Sequence, residues 1–372
     1  MSGSADLCAG LLWMLLGALS VELYGGDGGR LPRENLMVWR SAEGSIVPVR
    51  GVEDWEQRRR EILRGMEIVM GPLPGPERRC ALDWEVLEQV DCGSYIRQAI
   101  TYQAEPGPGG RVPAYLCLPK AVLPEQTKHP AVLCLHPTDD VVGSGVVVGL
   151  GGKANRQYAS ELAERGYVTI SPSYPLLSKY QPDLKRLGYA SGTMKAIWDN
   201  MRALDLLESL PMVERRAIGA IGHSLGGHNA VYTAVMDSRI RVVVSSCGLD
   251  SFVDYYGGNP EVWKPGKGWC SERYMPRLLS YAGQLEEIPF DFAELLGALA
   301  PRPVFLNAPL GDGNFQWRSV DRIATVARLI YEFYGGLAEI EVEHPDSGHD
   351  FPDAIRLKAY RRLDGVLRAP WP

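Results

Sequence analysis

The chain has 372 residues, of which 45% are hydrophobic and 23% charged, and its formal net charge is −6. This composition indicates a folded globular protein, and the negative charge gives no electrostatic reason to expect nucleic-acid binding. Seven cysteines without paired, metal-like spacing favour free thiols over a disulfide framework. We therefore expect a cytoplasmic protein with one large domain, or one domain and an appendage.

The first apolar segment is LCAGLLWMLLGAL, residues 7–19. It is too short to span a bilayer, and the preceding MSGSAD lacks the Lys or Arg of a secretory signal. We expect an amphipathic or buried helix here, with a contact between identical subunits as one use for it. A second helix is predicted at 53–68. Residues 1–80 are thus predicted to form a partly helical N-terminal extension that packs on a main domain at 81–372.

The main domain begins with two predicted antiparallel strands, SYIRQAITY and VPAYLCLP, separated by the turn-rich AEPGPGG. Short apolar strands then alternate with helices. The strands are predicted at 131–136, 168–172, 217–222, 241–246, 303–308 and 338–344, and the helices at 155–165, 192–210, 318–334 and 352–367. This alternation predicts an α/β fold with a mostly parallel sheet covered on both faces. Residues 249–300 are expected to form a long insert that acts as a partial lid.

The stretch GHSLG lies where the strand 217–222 passes into a helix. Gly222-x-Ser224-x-Gly226 fits the nucleophile elbow, a tight turn that lifts a serine hydroxyl above a sheet. The alternative is an ordinary glycine-rich turn. Functional sites of such sheets gather at the carboxyl ends of the strands, where Ser224 is placed. Ser224 is therefore a candidate nucleophile, and it needs a neighbouring base to take its proton.

Six histidines are available, and His349 follows the last predicted strand at the edge where Ser224 emerges. His349 is the candidate base, whereas His344, at the end of that strand, is expected to be structural. The candidate acid is Asp312, in a Gly-Asp-Gly turn after the preceding strand. Asp321 is the alternative acid, although it falls inside the next helix, and Asp346 is too near His349 in sequence. The order Ser, Asp, His is that of α/β-hydrolases.

An oxyanion hole of this type uses two backbone N–H groups. The N–H of Leu225 follows the nucleophile, and Thr138 is expected to supply the other because the residue before it is proline. His136 is expected to order the loop of Thr138. His223 and His228 flank the serine and are expected to pack or to brace loops.

Four segments together carry a family resemblance: LHPT, GHSLGGHNA, LAPRPVFLNAPLGDGNF and HPDSGHDFP. Over about residues 70–370 the chain resembles the α/β-hydrolase superfamily, in its dienelactone-hydrolase and acetylxylan-esterase-like branch. The resemblance implies an eight-stranded, mostly parallel sheet, a triad of Ser224, Asp312 and His349, and no metal or organic cofactor. The chain departs from true dienelactone hydrolases, which use cysteine at the elbow.

The expected function is hydrolysis of a small carboxylic ester through an acyl-enzyme. The alternatives are a serine peptidase, an acyl transferase or cyclase, and a non-catalytic binding protein. No cluster of Arg or Lys converges on the serine in the sequence, so a strongly anionic substrate is not expected. The residues expected to contact the substrate are His136, Tyr180, Trp269, Tyr274 and Phe315.

Overall fold

The structure is a computed structural model and describes residues 29–120, 128–336 and 340–369. The apolar segment 7–19, with its predicted helix and subunit contact, lies outside the described residues. Within them, no helix combines the length and the apolar character that a membrane crossing requires.

Eleven strands are found in the described part of the chain. They are β1 (Val38–Arg40), β2 (Ile46–Pro48), β3 (Glu85–Asp91), β4 (Tyr95–Gln103), β5 (Arg111–Pro119), β6 (His129–Leu135), β7 (Val168–Pro172), β8 (Val213–His223), β9 (Ile240–Ser246), β10 (Val304–Asn307) and β11 (Ile340–Glu343). β1 and β2 form a small antiparallel ribbon. The other nine form one sheet in the order β11-β10-β9-β8-β6-β7-β5-β4-β3.

The predicted mostly parallel sheet is confirmed. The six strands β6 to β11 pair with one another in parallel, while β3, β4 and β5 add an antiparallel edge. The sheet has nine strands in the described residues, one more than the eight expected. The additional strand is β3, whose side chains are mostly exposed, with Leu87 64% exposed. An exposed edge strand has no buried face, and its sequence EVLEQVD therefore lacks the alternation that predicts a strand.

Seven α-helices are found in the described residues, and they cover both faces of the sheet. They are α1 (Val52–Met70), α2 (Tyr158–Glu164), α3 (Gly192–Ser209), α4 (Leu225–Met236), α5 (Phe292–Leu299), α6 (Trp317–Glu332) and α7 (Asp353–Leu367). Alternate strand residues point to opposite faces. Val132 and Val244 pack with α2 and α7, whereas Leu133 and Val243 pack with α3 and α4. The carboxyl ends of the central strands are thus left open between the two helix layers.

The N-terminal part of the described chain contacts the helix α5. Trp55 of α1 is fully buried, and Arg58 pairs with Glu294 of α5, which also pairs with Arg30 at 2.6 Å. α1 shares one apolar cluster with the central helices. The division into an extension at 1–80 and a domain at 81–372 stays a prediction.

Candidate active site

The turn between β8 and α4 holds Ser224 in an unusual backbone conformation, with φ 56° and ψ −119°. Positive φ is rare and strained for a non-glycine residue, and such strain clusters at functional sites. The two glycines of the motif make the turn sterically feasible. A Cβ on Gly222 would lie 2.1 Å from the carbonyl oxygen of Gly226, and a Cβ on Gly226 would lie 1.9 Å from that of Leu135. The turn therefore has the geometry of a nucleophile elbow.

The backbone of Ser224 is fixed, whereas its hydroxyl is free. Its N–H donates to the carbonyl of Ser246 at 2.8 Å. Its Oγ has no hydrogen-bond partner among the described residues, and the side chain lines a cavity that it shares with His349. Leu225 begins α4, and the N–H groups in the first turn of a helix have no partner within that helix.

The structure brings Asp312 and His349 together. Both carboxylate oxygens of Asp312 lie 3.0 Å from His349 Nδ1. Asp312 Oδ1 also accepts the backbone N–H groups of Asn314 at 2.8 Å and Phe315 at 3.4 Å. The Asp312 side chain is 1% exposed and the His349 side chain 24%. The carboxylate of Asp312 is thus held in place and shielded from solvent, whereas the imidazole of His349 reaches the cavity.

The loop that carries His349 is held by residues that the sequence reasoning missed. Arg156 pairs with Asp350 at 2.6 Å and donates to the carbonyl of His349 at 3.0 Å. Asn155 donates to Asp350 Oδ2 at 2.8 Å, and Asn307 donates to the Asp350 carbonyl at 2.9 Å. Asn307 ends β10, a position from which a site residue is expected, but no pattern in the sequence marks Arg156.

The alternative acid, Asp321, is paired elsewhere. It lies on α6, and its Oδ1 is 3.0 Å from Nε2 of His344. The other nitrogen of His344 is 2.8 Å from the carbonyl of Ala308. The two residues therefore join β11 to α6, away from the cavity that Ser224 lines.

The two histidines beside the serine are buried but border the cavity. His228 Nδ1 is 3.1 Å from the carbonyl of Gly248, and its ring meets Trp269 at 4.5 Å between centroids. Burial lowers the pKa of His228 to about 3. Burial, with help from nearby cations, also holds the pKa of His223 well below its ordinary value. Both imidazoles are consequently neutral near pH 7.

The cavity above Ser224 has a volume of roughly 830 Å³. Thr138 lines it, and its hydroxyl is 2.8 Å from the hydroxyl of Tyr274. Residues of the segment 249–300, including Trp269 and Tyr274, border the cavity, and Phe315 borders it with its ring centroid 6.1 Å from that of His349. Three of the five expected substrate contacts therefore border the cavity.

The remaining two expected contacts, His136 and Tyr180, are not among the residues that border the cavity. His136 is 2% exposed: its Nε2 accepts the N–H of Tyr174 at 2.9 Å, and its Nδ1 is 2.7 Å from the carbonyl of Pro137. Tyr180 is 5% exposed and donates to Asp199 at 2.9 Å. Neither borders the cavity, because both side chains are used to fix the loops beneath it.

Three cations that show no cluster in the sequence, Lys153, Arg156 and Arg273, border the cavity in the folded chain. Arg273 pairs with Asp140 at 2.9 Å. Lys153 is exposed and forms no ion pair with a described residue. Glu272 also borders the cavity and adds one acid. The cavity thus combines aromatic rings with charged groups of both signs.

Known proteins are similar to this chain in sequence and in structure. Residues 187–335 match a family model described as glucuronyl esterase, fungi. The chain is 26% identical over 267 residues to a protein described as a hydrolase, YtaP of Bacillus subtilis, covering 69% of this chain and 84% of that one. A glucuronoyl esterase from Solibacter usitatus is similar in structure, with a TM-score of 0.71, 20% identity, and coverage of 91% of this chain and 98% of that one.

An acetyl xylan esterase from Bacteroides fragilis is more distant, with a TM-score of 0.56, 16% identity, and coverage of 78% and 75% of the two chains. The structural likenesses concern the fold, and the sequence matches carry the esterase relationship. With its elbow serine and mostly parallel sheet, the chain has the α/β-hydrolase fold, is similar to esterases of that superfamily, and is a hydrolase of carboxylic esters.

Proposed function

We propose that Ser224 is the nucleophile, His349 the general base and Asp312 the acid that orients it. The observation that carries this assignment is the 3.0 Å contact between Asp312 and His349 Nδ1, beside the cavity that Ser224 lines. With Nδ1 protonated and held by the carboxylate, Nε2 is left as the proton acceptor. Contacts of this kind are often longer without substrate, which fits the unbonded Ser224 hydroxyl.

In the proposed reaction, Ser224 Oγ attacks the ester carbonyl carbon while its proton passes to His349 Nε2. The resulting oxyanion accepts the N–H groups of Leu225 and Thr138. The tetrahedral intermediate collapses, the C–O bond to the alcohol breaks, and His349 returns the proton to the leaving oxygen. A water, deprotonated by the same imidazole, then attacks the acyl-enzyme and releases the acid.

The buried carboxylate has a second role in this scheme. When His349 takes the proton it becomes a cation, and Asp312 lies next to it with little water to screen the attraction. Two backbone N–H groups hold Asp312 in place, so no reorganisation is needed as the charge forms. In this scheme the proton stays on the imidazole and is not passed on to Asp312.

For the substrate, we propose a polar, carbohydrate-type ester, with an ester of a uronic acid as the first candidate. The names of relatives support this choice, because the matching family model and the Solibacter structure are both described by glucuronic acid esters. The cavity supports it as well. The half-buried Tyr274 offers an aromatic ring for contact with a sugar, and Lys153 and Glu272 offer charged partners for hydroxyl groups.

The test combines labelling with a substrate panel. A fluorophosphonate probe followed by peptide mapping is expected to label Ser224, and Ser224→Ala is expected to lower kcat by about 10⁶. The panel compares methyl glucuronate, an acetylated xyloside, p-nitrophenyl esters of increasing chain length, a lactone and a peptide. We expect the sugar esters to have the highest kcat/KM. Faster cleavage of the peptide or of long-chain esters would contradict the proposal.

We also propose that the protein works in a reducing compartment, the cytoplasm. All six cysteines of the described residues are free, and four of them are buried. Cell fractionation with immunodetection tests this, and recovery in the medium would contradict it. The predicted subunit contact of residues 7–19 is tested by light scattering on the full chain and on a chain lacking residues 1–28. If both chains have the same oligomeric state, the contact is excluded.

A further inference from the structure

Three side chains that bind metals well lie together beside the elbow: His223, Cys247 and His349. One candidate ligand atom from each lies within 4.8 Å of the other two. The two imidazole centroids are 4.9 Å apart, and both histidines border the cavity, whereas Cys247 is buried next to them. The reaction proposed above uses His349 alone and leaves the other two side chains without a role.

The hydrogen bonds of the two imidazoles leave one nitrogen free on each. His223 Nδ1 is 2.9 Å from Ser246 Oγ, but its Nε2 is buried and has no hydrogen-bond partner. His349 Nδ1 contacts Asp312, and its Nε2 bonds to no described residue. Buried polar atoms are nearly always paired, so the free nitrogen of His223 needs an explanation. Metal-binding histidines typically have this arrangement, with the second nitrogen fixed by an oxygen.

We propose that His223, Cys247 and His349 form an inhibitory site for Zn²⁺. Zn²⁺ binds imidazole and thiolate together at about 2.0–2.3 Å, which places tetrahedral ligand atoms about 3.5 Å apart. The three ligand atoms now lie up to 4.8 Å apart, so ion binding must draw them together by about 1 Å. Both histidines border the cavity, which gives the ion an access route and supplies water as a fourth ligand.

Binding changes the protonation of one ligand. The Cys247 thiol donates to the carbonyl oxygen of Asp350 at 3.2 Å. As the Zn–S bond forms, the S–H bond breaks and the proton leaves to water. This part of the inference rests on the proposed function: His349 Nε2, once bound to Zn²⁺, can no longer accept the proton of Ser224. Hydrolysis then stops until a chelator removes the ion.

Binding is tested first without reference to activity, on the full chain carrying Ser224→Ala. Co²⁺ is added as the probe, and a thiolate-to-cobalt charge-transfer band that Zn²⁺ abolishes is expected. Adding Cys247→Ala is expected to remove the band and weaken Zn²⁺ binding at least about tenfold. Cys270→Ala is the matched control, because Cys270 is also buried and free, and it is expected to keep both. Absence of the band, or its loss in the control, would overturn the site.

Inhibition is tested on chains that retain Ser224, each compared with its own metal-free rate. Zn²⁺ is expected to inhibit the unmodified chain and EDTA to restore it, while Cys247→Ala raises the half-inhibitory concentration at least about tenfold. His223→Gln provides the same test if Cys247→Ala fails to fold. Binding without inhibition would overturn the inhibitory role. An active Ser224→Ala chain would instead overturn the proposed function and leave the binding result standing.

Discussion

Asp312→Asn separates the acid's electrostatic role from its role in folding. Oδ1 of Asp312 is fixed by the N–H groups of Asn314 and Phe315, so the asparagine oxygen is expected to keep that position. The amide NH₂ then replaces Oδ2, 3.0 Å from His349 Nδ1, and donates to it. Nδ1 becomes an acceptor, the proton moves to Nε2, and the base has the wrong tautomer. We expect kcat to fall by about 10⁴, or about 5 kcal/mol of transition-state stabilisation.

The assay is steady-state hydrolysis of p-nitrophenyl acetate, with thermal unfolding run in parallel. Asp321→Asn is the matched control, since it removes the same charge from the same region. Its side chain is 44% exposed and contacts His344, so its loss is expected to cost less than about 1 kcal/mol of stability and almost no rate. The reasoning would be refuted by an Asp312→Asn enzyme within tenfold of the unmodified rate, or by an inactive Asp321→Asn enzyme.

Three further predictions concern the surroundings of the site. Gly226→Ala places a Cβ 1.9 Å from a carbonyl oxygen and is expected to lower the free energy of unfolding, measured in urea, by about 3 kcal/mol. Gly365→Ala is the control and is expected to leave it unchanged, because the space around Gly365 is open. Equal stability of the two variants would contradict this prediction. Arg156→Met removes the hydrogen bond to the backbone carbonyl of His349, so kcat is expected to fall by about 10², with partial recovery in Arg156→Lys. An unchanged kcat in Arg156→Met would exclude a positioning role for Arg156. Burial lowers the pKa of His136 from 6.5 to about 4. As pH falls, His136 is therefore protonated in the unfolded chain before it is protonated in the folded one, and stability is lost between pH 6.5 and pH 4. Between pH 7 and pH 5 the free energy of unfolding of the unmodified chain is expected to fall by about 2 kcal/mol more than that of His136→Asn. An equal fall in the two chains would refute the lowered pKa of His136.

The sequence was most informative where function needs a fixed local geometry. The pattern around Ser224 predicted a strand-to-helix turn, and the structure has β8, a serine with positive φ, and α4 at that place. The contact between Asp312 and His349 followed from a general rule: residues just after parallel strands meet at one edge of the sheet. In both cases a short segment contains the whole signal.

Other features depend on distant partners and leave no local pattern. β3 is recognisable as a strand only from its pairing with β4, because almost none of its surface is buried. Tyr180 and His136 were placed near the site by their position in the chain. Their side chains instead turn inward, because Asp199 and the N–H of Tyr174 need partners in the interior.

The charges of the cavity show why the substrate was the hardest property to predict. Lys153, Arg156 and Arg273 belong to two loops about 120 residues apart in the chain, and they converge only because the insert folds over the carboxyl edge of the sheet. Two of these cations are paired with Asp350 and Asp140, so their charge is already balanced. Lys153 alone is left to attract a polar or anionic group. The sequence alone does not show which cations are already paired with an acid and which are available to a ligand. The ion pairs of the folded chain do show this.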